Sequence, residues 1–276
     1  MLILNSDDLL QEIKEQKGID LSAYSTDFLI QKIGNRMAAL QIRSAAAYLE
    51  KLRAEPIEAD TLLSEIGIQV TLFFRNPLVF EIVKERTLPA ILDAKRSDGS
   101  REIRIWSAGC STGEEAYSVA ILLQQLLKDE LSEWRILIFA TDIDRKILAE
   151  AEKGLFSRAQ LVNTKVGIVD EYFIPVGEAF RIRPAIRRMV DFSFDDLAST
   201  ERGAPSASIF GAFDLVFCRN VMIYFNEARR KAVQNKIIRS LNKGGYLVLG
   251  ESEWLADTSK SEFAEVDERI RIFRKK

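Results

Sequence analysis

Residues 107–115, SAGCSTGEE, combine small side chains, two glycines and two adjacent carboxylates. Gly109 and Gly113 allow a tight turn and let the main chain approach a ligand closely. An apolar run precedes this stretch (103–106) and a helical apolar pattern follows it (116–128). That order, strand, glycine loop, helix, places a ligand at a helix N-terminus, or it is an ordinary tight connection. Glu114 and Glu115 would repel a polyphosphate, so a neutral or cationic ligand with ribose hydroxyls suits the loop better. Asp142 follows the apolar run 136–140 and can accept hydrogen bonds from two ribose hydroxyls. It is also placed to cap the next helix; we expect Asp144 to be the cap and Asp142 the ligand contact. Asn220 ends the apolar run 215–218, where its amide either holds an amino acid moiety or serves a turn. Arg75, behind Phe73 and Phe74, is a surface charge or points into a cleft.

Other chemistries are excluded. Residues 109–113 fit the G-x-S-x-G nucleophile elbow, but the chain has no histidine, so no Ser-His-Asp triad can form. Glu114 stands where a P-loop needs lysine, and the glycine spacing is not G-x-G-x-x-G. Asp142 also lies further from the loop than the ~20 residues usual for dinucleotide folds. The 276 residues carry 39 basic and 41 acidic side chains, a net charge of −2. That balance gives no global attraction to nucleic acid or to membranes, and no nucleic-acid partner is expected. Two cysteines make neither a disulfide framework nor a zinc site. Cys110 and Cys218 are expected to be reduced packing residues near each other. The first residues lack a signal-peptide pattern and no apolar run reaches ~18 residues, so a cytoplasmic protein without membrane insertion is expected.

The elements that must position these residues fall into three stretches. Residues 1–70 read as short helices, with Ser44 capping one and Pro56 opening another. One apolar stripe runs through Phe28, Leu29, Ile33, Met37 and Leu40. Lys32 and Arg36 lie opposite, either a solvated face or a dock for an acidic helical partner. Residues 71–100 form a linker and connecting helix, with Phe73 and Phe74 pinning the joint between two packed units. From residue 101 strands and helices alternate, which argues for a doubly wound, mostly parallel sheet. Its ligand should lie beyond the carboxyl ends of the strands. Residues 243–245 read as a tight turn and 269–273 as an edge strand. An insert at about 157–190 interrupts the alternation as a helical stretch and a small antiparallel group, which takes in the run at 189–192.

Five stretches then align in order: FFRNP, WSAGCSTGEEAYS, ATDID, FDLVFCRNVMIYF and GGYLVLGESE. In motif and spacing the chain resembles CheR-type chemotaxis receptor glutamate methyltransferases over nearly its whole length. The resemblance implies a class I S-adenosylmethionine-dependent methyltransferase fold with a helical N-terminal domain and a small antiparallel insert. It implies S-adenosyl-L-methionine as cofactor, S-adenosyl-L-homocysteine as product, and glutamate side chains of chemoreceptors as acceptors. Thr71, Arg75, Glu115, Asp142, Asn220 and Val221 match cofactor-contacting positions of the family. Gly109 lies in the same loop. Gln69 stands where the family commonly has Asn, Asn76 where it has an acidic residue, and Asp196, before Leu197, where it often has Asn. Arg75 would hold the incoming carboxylate and Tyr224 would hydrogen-bond it, so both are expected catalytic residues. Receptor cytoplasmic helices are expected to dock through Lys32 and Arg36, and the protein to act as a monomer. A compact segment at 174–190 leads us to expect no binding of an isolated receptor C-terminal pentapeptide. The alternatives are an S-adenosylmethionine-binding signalling protein without turnover, or a methyltransferase of another substrate.

Overall fold

Apolar residues at helical spacing in the first stretch do form helices: α1 (Ser6–Lys17), α2 (Thr26–Ala39), α3 (Ala45–Ala54) and α4 (Pro56–Ile66). The computed structural model describes residues 6–17, 21, 24–66, 71–197, 199, 212–267 and 270–276. Gln69 and most of the polar loop 199–208 therefore lie outside the described residues. Ser25 caps α2 by accepting from Phe28 N, and Ser44 caps α3 by accepting from Ala47 N. Leu9, Ile13, Leu29, Ile33, Met37 and Leu52 close a core of their own. These helices form one compact unit, Met1–Ile68, to which Tyr224–Arg230 also belongs; Gln69–Ile223 and Lys231–Lys276 form the other.

Lys32 and Arg36 do not make a free basic face. Arg36 grips the buried Glu58 with two hydrogen bonds, each 2.8 Å, and its Nη1 lies 3.0 Å from Glu65 Oε1. Tyr48 donates to the same Glu58 at 2.9 Å. Lys32 Nζ donates to the Glu65 carbonyl at 2.7 Å, a cation at the C-terminal end of α4 where the helix dipole favours it.

The second unit begins with a helix in three parts: α5 (Pro77–Ile82), a π-turn (Val83–Thr87) and α6 (Leu88–Ser97). Strands and helices then alternate: β1 (Glu102–Ala108), α7 (Glu114–Leu127), β2 (Arg135–Asp142) and α8 (Arg145–Lys153). Asp144 caps α8 by accepting from Lys146 N and Ile147 N, and Gly154, at φ 61°, ends it. The insert follows as β3 (Leu155–Ser157), α9 (Val166–Tyr172), β4 (Phe173–Val176), β5 (Ala179–Ile182) and α10 (Pro184–Arg187). Then come β6 (Val190–Phe194), β7 (Phe213–Cys218), α11 (Glu227–Ser240), β8 (Leu241–Leu249), α12 (Asp257–Lys260), β9 (Phe263–Glu265) and β10 (Ile272–Lys275).

The main sheet has the order β6-β2-β1-β7-β8-β10-β9, and β3-β5-β4 form a small antiparallel sheet. From β6 to β8 every pairing is parallel; β10 runs antiparallel to both β8 and β9. Burial on both faces explains the apolar runs of β1 and β7.

Four expectations differ from what forms. The run at 189–192 belongs largely to β6, which pairs with β2 in the main sheet rather than with the insert. The turn at 243–245 lies within β8, where the register with β7 shifts between Phe213 and Leu215. A Cβ on Gly245 would come within 2.9 Å of Asn242 O, so the bulge requires glycine there. The last strand is interior, flanked by β8 and β9. Phe73 and Phe74 pack inside the second unit: Phe73 against Phe156 and Phe173, Phe74 against Phe80. Phe80 and Phe173 belong to the same buried cluster.

Candidate active site

The carboxyl ends of β1, β2 and β7 converge on the glycine loop. Gly109 N and Cys110 N both donate to Thr141 O, at 2.8 and 2.9 Å, which folds the loop back over β2. Gly109 has φ 74°, and a Cβ there would clash with Val221 Cγ2. Both the backbone and the neighbour demand glycine. Gly113, at φ 92°, has Phe192 in the space a Cβ would take, 2.9 Å away. Ser111 N donates to Asp142 Oδ2 at 2.9 Å, and Asp144 N donates to Asp142 Oδ1 at 3.1 Å. Asp144 caps α8, as the sequence leads one to expect, and Asp142 braces the loop. Burial raises the pKa of Asp142 against these backbone donors.

Glu115 lies in the first turn of α7. Ser107 Oγ donates to its Oε1 at 2.8 Å, and Arg219 Nη1 lies 3.3 Å from its Oε2. Burial raises the pKa of Glu115 even so, with Arg219 pulling the other way. Arg219 is itself buried. Its Nη2 donates to the Arg75 carbonyl at 3.1 Å and to Asn76 Oδ1 at 2.6 Å. Asn76, in left-handed backbone at φ 62°, donates in turn to Glu251 at 2.7 Å. Arg75 is half-buried, and its backbone is fixed by this network. Thr71 is a hydrogen-bond partner of Glu114, which also accepts from Thr112 and from Gln160 at 2.6 Å. Gln160 belongs to the insert, so Glu114 ties insert to loop.

Asp195 N donates to Asp142 O at 3.1 Å, which sets Asp196 and the buried Leu197 just past the end of β6. Lys236 Nζ, on α11, lies 3.1 Å from Asp195 Oδ2 and 3.5 Å from Asp196 O. Asn220 has φ 60°. Its N–H and those of Val221 and Met222 all donate to one buried carboxylate, Glu253. The structure therefore gathers Gly109, Glu115, Asp142, Asn220 and Val221 at the strand ends, with Thr71, Arg75, Asp196 and Leu197 on adjoining loops. Tyr224 belongs to the helical unit: its carbonyl accepts from Ser25 N at 2.8 Å, and its ring lies 4.8 Å from that of Phe28. Cys110 and Cys218 are free and buried, and burial raises both thiol pKa values.

Arg219, Glu253 and the Lys236–Asp195 pair were not singled out from the sequence, and neither was the role of Glu114 in tying the insert to the loop. The signal for Arg219 and Glu253 was their place inside two of the five aligned stretches; for the pair there was none. Two buried polar atoms at the loop, Ser111 Oγ and Arg219 Nε, have no hydrogen-bond partner. One lies on the glycine loop and the other just past the end of β7. Acidic groups, glycine-cleared space and orphan polar atoms suit a cofactor that carries ribose hydroxyls and positive charge.

This strand order, with a glycine loop at β1 and an acid at the end of β2, defines a class I S-adenosylmethionine-dependent methyltransferase. Among the described residues no group of three metal-ligating side chains occurs, and no helix is long and apolar enough to cross a membrane. Residues 69–272 match the family described as CheR methyltransferase, SAM binding domain, and residues 6–66 match CheR methyltransferase, all-alpha domain. The chain belongs to the CheR methyltransferase family. It is 29% identical to a chemotaxis protein methyltransferase of Borreliella burgdorferi, over 92% of this chain and 89% of the relative. It is 31% identical to one of Salmonella typhimurium, over 89% of this chain and 82% of the relative.

Proposed function

We propose that this protein methylates glutamate side chains of chemoreceptors to form methyl esters, with S-adenosyl-L-methionine as donor and S-adenosyl-L-homocysteine as product. The observation that carries the reading is the pair of half-buried carboxylates, Glu115 and Asp142, flanking a glycine loop whose Ser111 Oγ lacks a partner. When bound, the cofactor supplies an activated methyl group. Asp142 and Glu115 would hold its hydroxyls and positive charge, and Asn220 its amino acid end. Gly109 and Val221 would form the wall, with Thr71, Asp196 and Leu197 completing the enclosure.

The acceptor glutamate has an ordinary pKa near 4.3 and is ionised at neutrality. It needs no general base, which fits a chain without histidine. The protein's task is alignment and exclusion of water. Arg75 is assigned to hold the incoming carboxylate and Tyr224 to hydrogen-bond it. Both act as positioners, because full neutralisation of the acceptor would blunt its attack. Receptor helices dock on the helical unit of a monomeric enzyme. Arg36 is committed to Glu58, so it contributes to docking less than a free cation would.

Transfer of labelled methyl to receptor signalling domains, released again by base, tests the reading. Arg75→Ala should stay folded and keep affinity for S-adenosylhomocysteine while losing about 100-fold in transfer. Transfer at the wild-type rate would remove Arg75 from the chemistry.

A further inference from the structure

Glu253 is 3% exposed and lies just after β8. Its Oε2 accepts from Asn220 N at 2.9 Å and from Gly250 N at 2.8 Å. Its Oε1 accepts from Val221 N at 3.0 Å and from Met222 N at 2.7 Å. Four backbone donors thus converge on one side chain, two on each oxygen. A carboxylate offers acceptors on both oxygens; an amide would turn its NH2 group toward two N–H donors. The groups held are those of the turn leaving β7, in which Asn220 adopts a left-handed backbone, φ 60°. The same turn presses the Val221 side chain into the space over Gly109. Trp254 and Ala256, which follow, are pinned to α11 by Gln234, whose amide donates to Trp254 O and accepts from Ala256 N. The carboxylate is therefore anchored from behind while its oxygens shape the turn in front.

We infer that Glu253 is a positioning residue for cofactor binding, acting through the backbone of Asn220 and Val221; this rests on the reading of those residues as part of the S-adenosylmethionine site. It touches no reacting group. Its effect on affinity should therefore pass through the turn, and not through Asp142 on the far side of the loop.

Calorimetry of the full chain with S-adenosylhomocysteine tests this. Glu253→Gln should weaken binding by about 10-fold or more, because two of four hydrogen bonds are lost and the turn relaxes. In an Asn220→Ala background the further loss should be clearly smaller, because the part carried through the Asn220 side chain is already gone and only the part through Val221 remains. In an Asp142→Ala background it should appear in full, since separated sites add. Glu253→Asp, which keeps both oxygens, should lie between wild type and Glu253→Gln. Wild-type affinity in Glu253→Gln, equal losses in both backgrounds, or an Asn220→Ala variant that binds normally would each overturn the inference. So would failure of both Glu253 variants to fold, which would make the residue a stability element. If the wild-type chain itself does not bind, the cofactor reading fails, and the inference with it.

Discussion

The helical unit and the strand-end site each set an arginine against a glutamate with one partner of the pair buried, and the two pairs are built differently. Around Glu58 everything is satisfied: Arg36 engages it at both oxygens and Tyr48 donates to it. The result is a Glu58 pKa held low, chiefly by Arg36, and an Arg36 pKa pushed up by Glu58. Around Glu115 the account stays open. Its pKa is raised because burial outweighs Arg219, and the Nε of Arg219 is left without a partner. A closed pair locks a fold together. An open one keeps unspent interaction capacity, and that capacity is what a ligand can use.

The contrast breaks most sharply at Arg36. Arg36→Ala would leave Glu58 buried and unpaired, and should cost the helical unit about 3 kcal/mol or more. Denaturant unfolding would measure it, and affinity for S-adenosylhomocysteine should hold in the folded fraction. A loss below 1 kcal/mol on the same scale would show that the pair is not closed in the sense argued. Asp142→Ala should shift the balance toward binding, with cofactor affinity falling by about 1–3 kcal/mol and a smaller loss in unfolding than Arg36→Ala, from the two backbone donors it leaves at the loop. Unchanged affinity by calorimetry would remove Asp142 from the site. Lys32→Ala is the fine adjustment. Among the described residues its ammonium meets a helix-end carbonyl and the face of Phe28, 5.7 Å away. A stability change of about 0.5 kcal/mol or less is expected, and any larger fall in receptor methylation would then report docking.

Much of this was legible in the residues. The boundaries of α7 and α8 could be read because Gly113, Asp144 and Gly154 do local work that sequence encodes directly. Asp142 and the glycine loop were visible because strand, turn and helix follow one another within a short span. The misplaced pieces share a cause. A four-residue alternating run such as 189–192 has the same pattern in an insert as at the edge of the main sheet. Residues 243–245 look like a turn, and only the pairing with β7 shows a bulge. Glu253 and Arg219 were invisible as positioning groups because most of their partners lie far away in sequence, backbone N–H groups of 220–222 for Glu253 and Asn76, Glu115 and the Arg75 carbonyl for Arg219. Composition records that a carboxylate is present, not which N–H groups will meet it.

The interior position of β10 has a consequence for how the chain is made. A ribosome releases β8 and β9 first, yet neither pairs with the other; both wait for Ile272–Lys275 to enter between them. Until then the nascent sheet ends in β8, with one edge of backbone groups unpaired and open to any passing strand. Losing four residues at this point of the chain would therefore not trim a rim. It would strip β9 of the strand it pairs with and leave β8 as the edge, on the flank from which Glu253 reaches the turn after β7.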